Sequence, residues 1–138
     1  MSTYVDSSVL LRCVLGEPGA FQLADLDPGH TSALAEVECL RTLDRLHLRG
    51  RLSPDDVAAR RAAIFDLLEG LEVVDLSAPV LRRAAGPFPT ALGTLDALHL
   101  ATALLWRERH PRGRATFATH DEELARAARA CGLDVLDT

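Results

Sequence analysis

Lysine is absent from the 138 residues, and every basic side chain is one of 15 arginines. Arginine suits bidentate contacts to phosphate or carboxylate, but the heavy use of arginine, alanine and leucine reads first as genome composition. An excess of positive charge is also missing. The formal net charge is -5, which excludes a chain that binds polyanions over its whole surface, although an acidic site and a local basic rim can coexist. Cysteine is scarce and scattered: Cys13, Cys39 and Cys131 form no CxxC pair and no zinc spacing with histidine. This excludes a disulfide framework and leaves buried, reduced thiols as the expectation. No basic segment followed by an apolar one opens the chain, and no run is long and apolar enough to span a membrane. A cytoplasmic protein with no membrane partner is expected. Internal repeats, linkers and low-complexity tracts are lacking too.

What is present is the profile of an ordinary globular chain, 48% hydrophobic and 25% charged. Its length suits one domain over residues 1–138 that buries a core without disulfides. Thr3 to Val5 reads as a short strand, and Val9 to Leu15 as a helix capped by Ser7 or Ser8 and ended by Gly16. Pro18 is expected to restart a helix to about Leu26, with a turn at Pro28-Gly29 and a second strand at His30 to Ser32. Ala33 to Leu48 follows as a helix closed by Gly50. Ser53-Pro54-Asp55-Asp56 combines a cap, a first-turn proline and acids that complement the helix dipole, so it starts a helix running to Glu69. A strand is expected within Leu71 to Leu76, a short helix from Ser77 to Ala85, and loop at Gly86 to Pro89. Thr94 is read as the cap of a helix from Leu95 to Arg109. Ala115 to Thr119 is a strand, Glu122 to Ala130 a helix with Gly132 at its end, and Leu133 to Leu136 a last strand. Strands alternating with helices imply an α/β fold, a mostly parallel sheet covered on both faces.

In such sheets ligands bind beyond the carboxyl ends of the strands. Asp6 ends the first strand, Asp96 lies in the first turn of its helix, and Asp121 follows the strand ending at Thr119. A fourth acid comes from the helix after the second strand, where Glu36 and Glu38 compete. Alone, Asp96 reads as a dipole or capping residue and Asp121 as the cap of the last helix. Their recurrence at one end of successive elements points to a shared site. Crowded carboxylates raise one another's pKa unless a cation keeps them ionised. All-oxygen ligation without His or Cys spacing favours Mg²⁺ or Mn²⁺, and the chemistry that suits such a site is phosphodiester hydrolysis.

Tyr4-Val5-Asp6-Ser7-Ser8-Val9-Leu10, Ser32 to Arg41, Thr94-Leu95-Asp96-Ala97-Leu98-His99-Leu100-Ala101-Thr102-Ala103, Phe117 to Asp121 with Leu124, and Gly132 to Leu136 occur in the order seen in PIN-domain proteins. The chain resembles that family over nearly its whole length, and in particular VapC-type toxins of toxin–antitoxin pairs. The resemblance implies a PIN-like three-layer fold and a metal-dependent endoribonuclease acting on RNA. It also implies a homodimer and a cognate VapB-type antitoxin that inserts a segment near the active site. It assigns the metal-binding, catalytic acids to Asp6, Glu38, Asp96 and Asp121. Glu36 and Glu38 lie roughly 200° apart around a helix. With Val37, Leu40 and Leu43 taken as the buried stripe, Glu38 shares the open face with Arg41, Arg45 and Arg49.

Other polar residues are weighed against structural roles. Ser8 and Thr119 are expected to orient a neighbouring carboxylate or a metal-bound water, with an N-cap and a buried strand threonine as the alternatives. His99 is either a partner of Asp96 or a partly buried helix histidine, and His120 is expected to be exposed. Glu122 and Glu123 read as helix-start charges, and Trp106 as core or interface. Arg41 and Arg45 are candidates for RNA phosphate contacts. Arg107, Arg109, Arg112 and Arg114 read as a solvated face. Two rival functions remain. An aspartate-nucleophile phosphatase also begins with a strand-terminal aspartate but wants a second acid where Ser8 stands. A non-enzymatic module, receiver-like or a degenerate PIN domain, would need a lysine beside the acids or would have lost an acid.

Overall fold

The computed structural model describes residues 1–136, so the last two positions of the expected domain lie outside the described residues. In chain order the elements are β1 (Ser2–Val5), α1 (Ser7–Leu15), a 3-10 turn (Leu23–Leu26), β2 (Gly29–Ser32), α2 (Ala33–Leu48), α3 (Pro54–Glu69), β3 (Glu72–Val74), α4 (Ala78–Ala84), α5 (Thr94–Arg109), β4 (Ala115–Ala118), α6 (Glu122–Ala130) and β5 (Asp134–Leu136). The five strands form one sheet in the order β3-β2-β1-β4-β5, with every pair parallel. The expected α/β fold with helices on both faces is observed, and the sheet is wholly parallel.

Alternation along the two central strands divides the core. Val5 and Ala118 face one layer, built with Val9, Leu10, Ala35, Cys39, Leu43 and Ile64. Tyr4 and Phe117 face the other, with Leu100, Leu104, Leu124 and Ala127, and their rings stack at 5.0 Å. The sheet is therefore the middle of three layers, as parallel sheets require when both faces are buried. Cys39 is fully buried, which pushes its thiol up to about 12. Cys13 and Cys131 are only half-buried, against the expectation that all three would be inside, but all three are free thiols.

Several local expectations change. The helix expected from Pro18 to Leu26 is reduced to the 3-10 turn. Gly19 takes a left-handed φ of 81° directly after Pro18, and only Leu26 of the turn is buried, so no apolar stripe exists to hold a longer helix against the core. Gly29 opens β2 instead of making a turn. A Cβ there would lie 2.5 Å from the Leu26 carbonyl oxygen and 2.7 Å from Leu71 Cδ2, so only glycine allows this close approach. Asp6, not Ser7 or Ser8, caps α1 by accepting from the Val9 N–H. α5 starts from Gly93 with no side-chain cap, and Thr94 is its first helical residue. The expected capping of α3 is observed: Ser53 and Asp56 form a reciprocal box with Pro54 in the first turn. The edge strands β3 and β5 are shorter than expected, three residues each. Among the described residues no helix is long and apolar enough to cross a membrane.

Candidate active site

The chain leaves β1 to build β2 and β3 on one side, then crosses to build β4 and β5 on the other. The carboxyl ends of β1 and β4 therefore flank the point where the winding reverses, the usual place for a ligand crevice. A cavity of about 420 Å³ opens there, and its lining includes Asp6, Glu38, Asp96 and Asp121 together with Arg41 and Arg45. Acids up to 115 residues apart in sequence thus share one hollow. Glu36, the competitor of Glu38, is not in its lining, and neither is Arg49. Val37, expected in the buried stripe of α2, is instead 56% exposed, and the buried stripe is Leu34, Ala35, Cys39 and Leu43. Glu38 still borders the cavity, on the same face of α2 as Arg41, Thr42 and Arg45, which also line it.

Asp6 is the most deeply held acid, 3% exposed. Its Oδ1 accepts from the Ser8 hydroxyl at 2.6 Å and the Val9 N–H at 3.2 Å, and its Oδ2 accepts from the Thr119 hydroxyl at 2.6 Å. Burial still raises its pKa, against the pull of the Ser8, Thr119 and Val9 hydrogen bonds and of His99. Ser8 and Thr119 thus both orient Asp6. Thr119 also accepts from the Asp121 N–H at 3.0 Å, and Ser8 from the His120 N–H at 3.0 Å, so the loop after β4 is stitched to the start of α1. Asp121 caps α6 through Oδ1, which accepts from the Leu124 N–H at 3.0 Å. The bland reading of Asp121 as a cap therefore holds together with its place on the cavity.

Asp96, half-buried in the first turn of α5, has its carboxyl pushed up to about 6. Burial is the main cause and Asp121 the next, with Asp6 and Glu38 adding and His99 opposing. Among the described residues Asp6, Asp96 and Asp121 form no ion pair with an arginine. Glu38 pairs with His99 Nε2 and accepts from the Ser7 hydroxyl at 3.0 Å on the same Oε1. His99 is buried, as one expectation had it, but its carboxylate partner is Glu38 and not Asp96. Its Nδ1 meets the Tyr4 hydroxyl at 2.6 Å. Burial, with Asp6 and Glu38 nearby, holds the Tyr4 phenol well above its ordinary pKa.

Ser7 and Tyr4 are contributors that sequence reasoning missed. The available signal was that a buried phenol or imidazole needs a partner, and this chain has one tyrosine, placed two residues before Asp6. His120 is half-buried, not exposed: its ring lies 4.9 Å from Phe21, and Nδ1 meets Arg12 at 3.2 Å. Trp106 stacks on His30 at 4.2 Å and His110 at 3.9 Å, away from the acids. Arg107 donates to the Cys131 carbonyl and Arg114 pairs with Asp134 at 3.7 Å, which suits the structural reading of that cluster.

The donor set suits a hard divalent cation: four carboxylates, no thiolate ligand, and mutual repulsion that a cation relieves. Among the described residues no three His, Cys, Asp or Glu side chains already stand at metal-holding separation. What fits the ion is the chemistry of the donors lining the hollow, not a preformed cage.

A family model described as PIN domain matches residues 3–130. The chain is 31% identical over 137 residues to Ribonuclease VapC47 of Mycobacterium tuberculosis, covering 94% of this chain and 91% of that protein. Among solved structures it is similar in fold to VapBC2 from Rickettsia felis bound to a DNA fragment from their promoter. That match has a TM-score of 0.69, 15% identity, and covers 100% of this chain and 99% of the other. A toxin-antitoxin complex from Klebsiella pneumoniae matches with a TM-score of 0.67 and 17% identity over 98% and 96% of the two chains.

Proposed function

The chain belongs to the PIN-domain family, and on that premise we propose that it is a VapC-type toxin, an endoribonuclease dependent on Mg²⁺ or Mn²⁺. Residues 1–138 form one such domain, acting in the cytoplasm on RNA as a homodimer and neutralised by a VapB-type antitoxin. The observation that carries this reading is the gathering of Asp6, Glu38, Asp96 and Asp121 around one cavity at the winding reversal of the sheet. These four residues would hold the ion. When bound, the ion supplies Lewis-acid chemistry, lowering the pKa of water and polarising a phosphoryl oxygen.

The protein's own contribution is placement. Ser8, Thr119 and the Val9 N–H fix the Asp6 carboxylate in one orientation. Asp121 is fixed by its capping bond and Glu38 by Ser7 and His99. Arg41 and Arg45, both exposed on the cavity rim, suit the phosphates of a single strand and steer it toward the acids. The Ser8 hydroxyl, donating to Asp6, occupies the place where an aspartate-nucleophile phosphatase wants its second acid, which argues against that alternative.

The test is RNA cleavage and Mn²⁺ binding by the purified chain. Asp6→Asn and Asp121→Asn keep side chains that still cap their helices, so both should fold, bind Mn²⁺ poorly and leave RNA intact. Glu38→Gln should lose cleavage while Glu36→Gln retains it. Cleavage that persists in a chelator, or in both Asp variants, would reject the proposal.

A further inference from the structure

His99 sits one turn beyond Asp96 on α5 and is 1% exposed, and Tyr4, on the central strand, is equally buried. Two polar rings buried this deeply must find hydrogen-bond partners, because an unpaired polar group there is destabilising. They find each other, and His99 finds Glu38. We propose that His99, braced at Nδ1 by Tyr4, is a positioning residue that holds Glu38 in a single orientation toward the metal. The inference rests on the nuclease reading above and deepens it.

The hydrogen-bond logic is directional. An ionised carboxylate only accepts, so His99 Nε2 must carry the proton that points at Glu38 Oε1. In the neutral ring Nδ1 is then the acceptor, and the Tyr4 hydroxyl at 2.6 Å donates to it. Ser7 donates to the same Oε1 at 3.0 Å. One glutamate oxygen is thereby taken by two donors from α1 and α5, while Oε2 meets no donor among the described residues. The carboxylate has one anchored oxygen and one left for the cavity that Glu38 lines.

Glu38 needs such an anchor more than the aspartates do. Asp6 is held by three donors and Asp121 by its own helix, whereas a glutamate has an extra rotatable bond and loses more freedom when fixed. Outer partners that fix a ligand's orientation typically change metal affinity by about 10–100-fold. The Asp96-to-His99 spacing also puts both side chains on one face of α5, so a single helix supplies one acid and the anchor of another.

The experiment measures Mn²⁺ affinity by titration calorimetry, together with RNA cleavage and the unfolding midpoint in chelator, for His99→Leu, His99→Gln, Tyr4→Phe and the Tyr4→Phe/His99→Leu pair. His99→Leu should weaken Mn²⁺ binding about 10–100-fold, and Tyr4→Phe, which loses one neutral hydrogen bond, about 2–10-fold. His99→Gln, whose amide offers a donor and an acceptor side by side, should recover part of the loss. The double variant should bind no worse than His99→Leu, because Tyr4 acts only through His99. A folded His99→Leu with wild-type affinity, or Tyr4→Phe and His99→Leu losses that simply multiply, would overturn the role. If His99→Leu does not fold, Tyr4→Phe and His99→Gln decide: wild-type affinity in both overturns the role, and graded losses support it. A wild-type chain that neither binds Mn²⁺ nor cuts RNA rejects the nuclease reading and this inference with it. Wild-type binding and cleavage with unchanged variants reject the inference alone.

Discussion

Replacing Asp96 by asparagine should make the metal-free chain more stable while destroying its capacity for metal. The Asp96 carboxyl moves from 3.8 to about 6 in the folded chain, because burial and the charges of Asp121, Asp6 and Glu38 disfavour its ionised form more than His99 favours it. At about 1.4 kcal/mol per pH unit that span corresponds to about 3 kcal/mol. Asp96 is only half-buried, so water screens part of the repulsion, and a penalty of about 1–2 kcal/mol is expected. The sign follows from linkage. Between about pH 4 and pH 6 the folded chain holds the proton and the unfolded chain has released it, so stability falls as pH rises. The full penalty is present above about pH 6, and none is present below about pH 4. The asparagine of the Asp96→Asn chain carries no charge and escapes it.

In EDTA at pH 7.5 the Asp96→Asn chain should therefore melt about 3–7 °C above wild type, and at pH 4 the two midpoints should converge. Saturating Mn²⁺ should reverse the order, since an ion at about 100 times its Kd stabilises a binding-competent chain by about 2.7 kcal/mol and leaves the variant unchanged. Circular dichroism melts at the two pH values, with and without Mn²⁺, measure all of this. An Asp96→Asn chain no more stable than wild type in EDTA at pH 7.5, or an advantage that survives to pH 4, would refute the electrostatic reasoning.

His30 should titrate in the opposite sense. Burial, and His110 second, lower its pKa to about 4, so between about pH 6.5 and pH 4 only the unfolded chain is protonated and stability falls as pH falls, by up to about 3 kcal/mol. His30→Gln should flatten that slope in denaturant titrations at stepped pH, and an unchanged slope would clear His30 of the effect. Gly29→Ala should destabilise by about 1–3 kcal/mol, since the new methyl collides with the Leu26 carbonyl oxygen and Leu71; a wild-type urea midpoint would contradict this. Removing both Arg41 and Arg45 as glutamines should weaken single-stranded RNA binding and make its log–log salt slope shallower by about 1.4. An unchanged slope would show that the strand passes elsewhere.

The layers of the fold were legible because strands that alternate with helices favour a parallel sheet covered on both faces. Asp6, Asp96 and Asp121 were legible as a group because each lies at the same end of its element, and parallel strands bring those ends together. What escaped were matters of partner choice. Nothing local tells whether Ser8 or Asp6 caps α1, since both can reach free N–H groups, and Asp6 wins while Ser8 donates to it. The α2 face was misjudged at Val37, because one apolar residue out of phase with Leu34, Cys39 and Leu43 looks like core until the neighbouring elements are in place. The Tyr4–His99–Glu38 chain joins three elements and spans 95 residues between its two rings, beyond the reach of any spacing rule.

The strand order has a consequence for how the protein comes into being. β1 lies at the middle of the sheet, and its partner β4 is made only after about 110 further residues. A chain emerging from the ribosome therefore carries Asp6 long before Thr119 and Asp121 exist to complete its surroundings. Such distant parallel pairing is also slow to form. Until β4 and the loop after it have been made, the nascent chain has no assembled acid cluster, so the centre is complete only after Asp121 has been synthesised.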